Sequence, residues 1–158
     1  MKHLEIERKF LVNKPLWKAL DKPAGIHYLQ GYLSIDPNKV VRARVAGDRG
    51  YITIKGKSEA CSRKEFEYII PCEEAQELIR LFTHGQIEKV RFRIPSGIHT
   101  FEIDEFHGDN EGLMIAEIEL ENPDESFEKP DWLGEEVTYE ERYYNSNLSV
   151  HPYNKWRK

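Results

Sequence analysis

Polar and apolar side chains alternate along eight short segments of the chain, and a period of two residues is typical of β-strands. Turn-forming residues lie between several of these segments, in the sequences IDPNK, GDRG, IPSG and HGDNEG. Strands joined by such short turns pair with their neighbours in the antiparallel direction. The pattern therefore predicts an antiparallel meander with strands at residues 4–12, 27–35, 39–47, 50–57, 63–71, 88–95, 99–106 and 113–121.

Three other segments predict helices. The clearest is 73–85, which begins with acidic residues, ends at a glycine and carries four apolar side chains spaced for one face: Ala75, Leu78, Ile79 and Phe82. Residues 15–20 predict a short helical turn, and residues 138–148 predict a C-terminal helix. The expected fold class is α+β, dominated by strands, with helices at the periphery.

Charged residues of one sign recur at alternate positions of the predicted strands. The acidic pairs are Glu5 and Glu7, Glu65 and Glu67, Glu102 and Asp104, and Glu117 and Glu119, the last continuing to Glu121. The basic sets are Arg42 and Arg44, Lys55 and Lys57, and Lys89, Arg91 and Arg93. The intervening positions are mostly apolar, as at Ile6, Val41, Ile54, Phe66, Phe92, Ile103 and Ile118. One face of the sheet is therefore ionic and the other apolar.

A solvated surface is the ordinary explanation for charges at alternate positions of one strand. Like charges side by side on a sheet repel, however, at a cost of a few tenths of a kcal/mol or more. Repetition over seven strands favours an external counter-charge: a cation for the acids and a multiply charged anion for the bases. A metal-bound polyphosphate supplies both, since carboxylates suit Mg²⁺ or Mn²⁺ and arginine and lysine suit phosphate. If the strands close into a barrel, the ionic face can point inward.

Composition narrows the class of protein. The 158 residues include 23 lysines and arginines and 28 aspartates and glutamates, a net charge of −5, which argues against a nucleic-acid surface. Cys61 and Cys72 form no C-x-x-C pair, and the histidines show no ligand spacing, so a zinc site and a disulfide framework are both disfavoured. Without a membrane-span or signal pattern, we expect one soluble, cytoplasmic domain over residues 1–158 with no membrane partner.

The charged elements occur in the order of a known family. The sequences EIERK, RAR, TIKG, EFE, KVR, EID and AEIEL together resemble the CYTH family, also called triphosphate tunnel metalloenzymes. The resemblance implies an eight-stranded antiparallel closed β-barrel whose tunnel binds a triphosphate with a divalent metal, Mg²⁺ or Mn²⁺. The residues that it implies for the metal side are Glu5, Glu7, Glu65, Glu67, Asp104, Glu117 and Glu119. Those that it implies for the triphosphate are Lys9, Arg42, Arg44, Lys55, Lys89 and Arg91. Lys57, Arg93, Glu102 and Glu121 share the alternation and are expected at the tunnel mouths.

Within the family, the sequences LQGYL, CSRKEFE and GEEVTYEERYYN are similar to elements of bacterial inorganic triphosphatases. The activity implied is metal-dependent hydrolysis of tripolyphosphate to pyrophosphate and phosphate. Lys9 is the candidate general base on condition that its pKa is lowered, while packing is the expected role of Tyr28, Tyr32 and residues 134–145. Adenylate cyclisation, thiamine triphosphate hydrolysis and non-catalytic binding of a polyphosphate or nucleotide stay open as alternatives, and so does the formation of a homodimer.

Overall fold

The computed structural model describes residues 4–156, which form nine strands, three α-helices and three short 3₁₀ turns. The strands are β1 (Leu4–Val12), β2 (Ile26–Asp36), β3 (Lys39–Ala46), β4 (Arg49–Gly56), β5 (Ser62–Ile70), β6 (Gln86–Ser96), β7 (His99–Phe106), β8 (Met114–Glu119) and β9 (Leu133–Glu136). The helices are α1 (Lys14–Ala19), α2 (Cys72–Phe82) and α3 (Asn145–Val150), and the 3₁₀ turns are Gly108–Asn110, Glu141–Tyr143 and Tyr153–Lys155. No helix in this described part of the chain has the length and apolar character needed to cross a membrane.

Eight of the strands close into a ring. The sheet runs in the order β5, β4, β3, β2, β6, β7, β8, β1, and β1 pairs in turn with β5. Closure rests on three residue pairs, from Leu4 opposite Lys64 to Ile6 opposite Ser62, whereas β1 and β8 pair over five. All pairings are antiparallel, so the expected eight-stranded closed barrel is confirmed.

A ninth strand lies outside the sequence prediction. The short strand β9 pairs with the second half of β1, opposite Phe10 and Val12, on the edge that β5 leaves unoccupied. Its sequence, LGEE, has too few residues to show alternation. The strand therefore forms because β1 offers a free edge, which is a property of the closed ring rather than of the local sequence.

The apolar outer face of the barrel is covered over much of its surface. Three clusters of buried side chains lie there, beneath α1 and residues 127–133, beneath the C-terminal elements, and beneath α2. They are built around Trp17, Phe101 and Trp132, around Ile87, Phe106 and Leu148, and around Ala43, Val45 and Ile79 respectively. The hydrophobic core therefore surrounds the barrel, and the interior is left to the charged side chains.

Helix α2 differs in part from its prediction. Ala75 and Ile79 are buried against β3, as the apolar face requires. Phe82, predicted on the same face, is 62% exposed at the last residue of the helix, and the chain continues in extended conformation at Thr83. Gly85 lies beyond the helix with a positive φ of 70°, in the turn that leads to β6.

The single C-terminal helix predicted at 138–148 is wrong in its extent. A 3₁₀ turn at Glu141–Tyr143 and the helix α3 are separated by Tyr144, whose φ and ψ of −69° and 137° are extended. The Tyr144 hydroxyl donates a hydrogen bond to the Thr138 carbonyl at 3.1 Å, which folds the segment back on itself. The short α1 predicted at 15–20 is confirmed, with the Asn13 side chain accepting from the Leu16 N–H as its cap.

Candidate active site in a charged tunnel

The inner face of the barrel encloses a cavity of about 230 Å³ with a strongly polar lining. All the site residues predicted from the sequence, except Asp104, line it: Glu5, Glu7, Lys9, Arg42, Arg44, Lys55, Glu65, Glu67, Lys89, Arg91, Glu117 and Glu119. Arg93 and Glu102 line it as well, and they share an adjoining depression with Glu119 and Glu121. Lys57 is exposed just after β4. Strand alternation therefore brings nearly the whole predicted set into one space.

Lys9 lies between two carboxylates. Its Nζ is 3.2 Å from Glu7 Oε1 and 3.1 Å from Glu117 Oε2, because Lys9 and Glu117 are direct partners in the β1–β8 ladder. Burial lowers the pKa of Lys9, but the attraction of Glu117 and Glu7 outweighs it and holds that pKa well above its ordinary value. Lys9 is thus a stable cation, and the condition for a general-base role, a lowered pKa, is not met in this arrangement.

Asp104 lies behind the cavity wall and binds two of the side chains that were predicted to hold phosphate. It accepts hydrogen bonds from Lys89 Nζ at 2.7 Å and from Arg91 Nε and Nη2 at 2.7 and 2.9 Å. Burial raises the pKa of Asp104, yet Arg91 and Lys89 hold it well below its usual range. Since Arg91 and Asp104 are opposite each other in the β6–β7 ladder, the fork geometry follows from strand register.

Lys89 is fully buried, and its Nζ also donates to Asn145 Oδ1 at 3.2 Å. Burial lowers the pKa of Lys89, the Asp104 carboxylate raises it, and the cations Arg91 and Arg44 lower it further, to about 7. The pKa of Lys89 is therefore shifted in the opposite direction from that of Lys9.

Among the described residues, Arg44 has no carboxylate at ion-pair distance, and Glu67 attracts it only from farther away. Its Nε donates to Gln30 Oε1 at 3.0 Å, and its guanidinium lies over the Tyr28 ring at 4.9 Å. Burial, followed by repulsion from Arg42 and Arg91, lowers the pKa of Arg44 to about 10. A cation held among cations favours an anionic ligand at this part of the tunnel.

Arg42 and Lys55 form ion pairs with carboxylates of β5 and β1. Arg42 Nη2 donates to Thr53 Oγ1 at 3.1 Å and to Glu67 Oε2 at 3.5 Å. Lys55 Nζ lies 3.5 Å from Glu5 Oε2 and 3.6 Å from Glu65 Oε1. These ion pairs keep acid and base side chains extended into the cavity, where a ligand can exchange for either partner.

Glu119 has no cation at ion-pair distance among the described residues. Burial raises its pKa, and so does repulsion from Glu5, Glu7, Glu102 and Glu121. The Glu5 Oε2 atom is buried and has no hydrogen-bond partner among the described residues. A bound divalent cation would reduce the repulsion at Glu119 and give the Glu5 oxygen a partner, and a site made only of oxygen ligands suits a hard ion. The acids are nonetheless spread and paired with lysines, and the described part of the chain holds no preformed group of three ligating side chains.

Several cavity residues lie outside the predicted set. Thr138, Tyr144, Asn145 and Ser146 line the cavity from the C-terminal segment, where no strand alternation signals an inward side chain. Arg63 also lines the cavity. Its inward direction could have been predicted from the sequence, because Arg63 lies two residues before Glu65 on the same face of β5 as Glu65 and Glu67. Tyr32 lines the cavity, whereas Tyr28 packs beneath the guanidinium groups of Arg44 and Arg91.

Comparison with known proteins decides the family. The CYTH domain model matches residues 3–151. The chain belongs to the CYTH domain family. Two similar proteins are named inorganic triphosphatases. The one from Acetivibrio thermocellus is 48% identical over 155 residues, which cover 98% of both chains. The one from Nitrosomonas europaea is 34% identical over 154 residues, which cover 92% of this chain and 97% of the relative.

A solved CYTH-like structure agrees with the barrel. The crystal structure of the inorganic triphosphatase NE1496 is similar with a TM-score of 0.65 and 32% sequence identity, over 92% of this chain and 97% of that one. The resemblance to the CYTH family and the tunnel fold predicted from it are therefore confirmed.

Proposed function

We propose that this chain is a metal-dependent triphosphatase that hydrolyses inorganic tripolyphosphate to pyrophosphate and phosphate. The observation that carries the proposal is the closed barrel whose interior combines sorted carboxylates and cations in one cavity. Relatives at 48% and 34% identity that are called inorganic triphosphatases support the reaction and the substrate. Elements from β1 to α3 contribute side chains to that cavity, so the proposal treats the chain as one functional domain.

Membership of the CYTH family implies a divalent metal cofactor, and we propose Mg²⁺ or Mn²⁺. Glu5, Glu7, Glu117 and Glu119 would hold the ion, with Glu65 and Glu67 as further acidic groups of the tunnel. When bound, the ion neutralises phosphate oxygens and favours attack by water at phosphorus. The raised pKa of Glu119 supports this placement, and so does the buried Glu5 Oε2, which accepts no hydrogen bond from the described residues.

The cations hold the triphosphate along the tunnel. Lys9, Arg42, Arg44, Lys55, Lys89 and Arg91 line the same cavity and present donors that match phosphate oxygens. Asp104 has a different role in this proposal from the one expected at first: its two oxygens orient Lys89 and Arg91 instead of facing the metal. Positioning and charge neutralisation of this kind provide most of the catalysis in phosphoryl transfer.

Lys9 is not proposed as the proton acceptor, because its pKa is raised. Lys89 is proposed as a positioned cation, since its Nζ donates to Asp104 and Asn145. Lys9 remains in the proposal as a phosphate contact.

A substrate panel tests the proposal against the other family activities. The protein is incubated with tripolyphosphate, ATP or thiamine triphosphate in Mg²⁺ or Mn²⁺, and products are separated by anion-exchange chromatography. We expect pyrophosphate and phosphate from tripolyphosphate as the fastest reaction. Formation of cyclic AMP from ATP would contradict the proposal. Hydrolysis of thiamine triphosphate that is faster than that of tripolyphosphate would also contradict it, and so would tight binding of tripolyphosphate without turnover.

A further inference from the structure

Arg63 is the third charged side chain of β5 that faces the tunnel. It occupies the same face as Glu65 and Glu67 and lies opposite Glu5 in the β1–β5 ladder. Connections between strands lie at the ends of a barrel, and Arg63 comes two residues after the β4–β5 connection that ends at Cys61. Ser58, Ala60 and Cys61 of this connection line the cavity beside it. Arg63 is therefore placed at the rim of the tunnel rather than in its middle.

The guanidinium of Arg63 is anchored at one nitrogen only. Its Nε donates to the Gly56 carbonyl at 3.1 Å, which fixes the plane of the group. Within residues 4–156, Arg63 has no carboxylate at ion-pair distance, in contrast to Lys9, Lys55 and Lys89. The two Nη groups thus retain hydrogen-bond donors and a positive charge that no described carboxylate contacts.

The neighbours of Arg63 place this charge near the Lys9 end of the site. Tyr144 lies close enough for the charges of Lys9 and Arg63 to lower its pKa, although burial keeps that pKa above the ordinary value. The Lys9 Nζ is 5.9 Å from the centre of the Tyr144 ring. Arg63, Tyr144 and Lys9 therefore surround one part of the cavity.

We propose that Arg63 is a further phosphate-binding residue, whose Nη groups hold a terminal phosphoryl group of the triphosphate at the rim formed by the β4–β5 connection and residues 144–146. The proposal rests on the proposed triphosphatase function and adds a contact to it. A terminal phosphoryl group has more ionisable oxygens than the internal one, and a guanidinium fork can bind two of them at once. The Nε–Gly56 bond supports this role because it orients the fork before the substrate arrives.

Lys64 offers a matched control for substitution. It is the next residue of β5, has the same charge and is exposed on the opposite face, beside Leu4. We expect Arg63→Ala to raise the KM for tripolyphosphate about tenfold or more, as for loss of a charge-assisted contact, with kcat changed much less. Arg63→Lys should recover part of the loss, and Lys64→Ala should stay within about twofold of wild type. A KM of Arg63→Ala equal to that of Lys64→Ala would overturn the proposal.

A measurement on the wild-type protein avoids dependence on the fold of the variant. Phenylglyoxal labels accessible guanidinium groups, and the labelled peptides are quantified by mass spectrometry with and without tripolyphosphate. We expect tripolyphosphate to slow labelling at Arg63 at least severalfold and to leave Arg80, exposed on α2, unchanged. Equal labelling of Arg63 under both conditions contradicts the proposal. This readout needs no turnover, so a protein that hydrolyses tripolyphosphate without protecting Arg63 refutes the Arg63 contact alone, whereas a protein that does not hydrolyse it refutes the proposed function.

Discussion

The charges of the tunnel are compensated unevenly from one residue to the next. Lys9 and Asp104 have close partners of opposite sign on facing strands, which hold the pKa of each toward its charged form. Burial, and then repulsion from neighbouring acids at Glu119 and from Arg42 and Arg91 at Arg44, shifts the pKa of each group toward its neutral form. The energetic demand for a cation and an anion is thus concentrated at particular residues rather than spread over the whole lining.

Competition between protons and metal at Glu119 gives a pH-dependent prediction. Its pKa is raised by burial and by neighbouring acids, so a proton competes for this carboxylate at a higher pH than for an ordinary glutamate. We expect Mn²⁺ affinity, measured by calorimetry, to fall as the pH is lowered from 7 toward 5, and Glu119→Gln to bind more weakly with a flatter pH dependence. A wild-type affinity that stays constant over this range would contradict the assignment.

The sequence predicted individual site residues correctly where the alternation of side chains along a strand was sufficient. This alternation placed Glu5, Arg42 and Glu117 on the inner face, and the structure has them there. It could not separate Asp104 from the other acids, because the Arg91–Asp104 pairing depends on the register between β6 and β7. The opposite pKa shifts of Lys9 and Lys89 also depend on cross-strand neighbours, which one sequence does not specify.

Among the elements, α2 shows how the barrel wall is stabilised. Its buried residues Ala75 and Ile79 cover Ala43 and Val45 on the outside of β3, the strand that carries Arg42 and Arg44 on its inside. Packing on one face therefore holds the phosphate-binding side chains of the other in place.

Truncation of this contact has a measurable cost. Ile79→Ala should lower the free energy of unfolding by about 2–5 kcal/mol, because it leaves a cavity between helix and sheet. Leu81→Ala, on the same helix but 53% exposed, is the control and should change it by no more than about 0.5 kcal/mol. Urea denaturation followed by circular dichroism gives both values, and equal effects of the two substitutions would argue against this packing.

Elements with strong periodicity were predictable and those without it were not. The eight barrel strands and α1 follow from alternation and capping, whereas β9 is too short for a pattern and forms on the free edge of β1. The C-terminal segment has helical composition, but Tyr144 leaves the helix to enter the cavity wall. Tertiary contacts therefore determined the structure where local preference was weak.

Around the closed ring, acids and bases of the same strand or of nearby strands serve as counter-ions to each other on the inner face. The ammonium group of Lys55 lies between Glu5 and Glu65, and that of Lys9 lies between Glu7 and Glu117. A metal and a triphosphate bound together can replace these internal pairs on both sides at once. Either ligand alone satisfies only half of them.

This exchange predicts the effect of removing one internal cation. Lys55→Met should bind Mn²⁺ about tenfold more tightly than wild type in the absence of triphosphate, since Glu5 and Glu65 lose their competing ammonium group. The same substitution should weaken tripolyphosphate binding. Lys57→Met, at an exposed lysine just beyond the end of β4, is the matched control and should leave both affinities close to wild type. Calorimetric titration decides the matter, and unchanged or weaker Mn²⁺ binding by Lys55→Met would count against the exchange.

Phosphate release from tripolyphosphate, measured with and without a divalent metal, tests whether the tunnel hydrolyses a metal-bound triphosphate. Wild-type protein should release phosphate in Mg²⁺ or Mn²⁺ and stop when the metal is chelated. The Glu117→Gln/Glu119→Gln double variant should lose activity under every condition, because it lacks two carboxylates that would hold the ion. Release that continues without metal, or a double variant as active as wild type, would contradict metal-dependent hydrolysis in the tunnel.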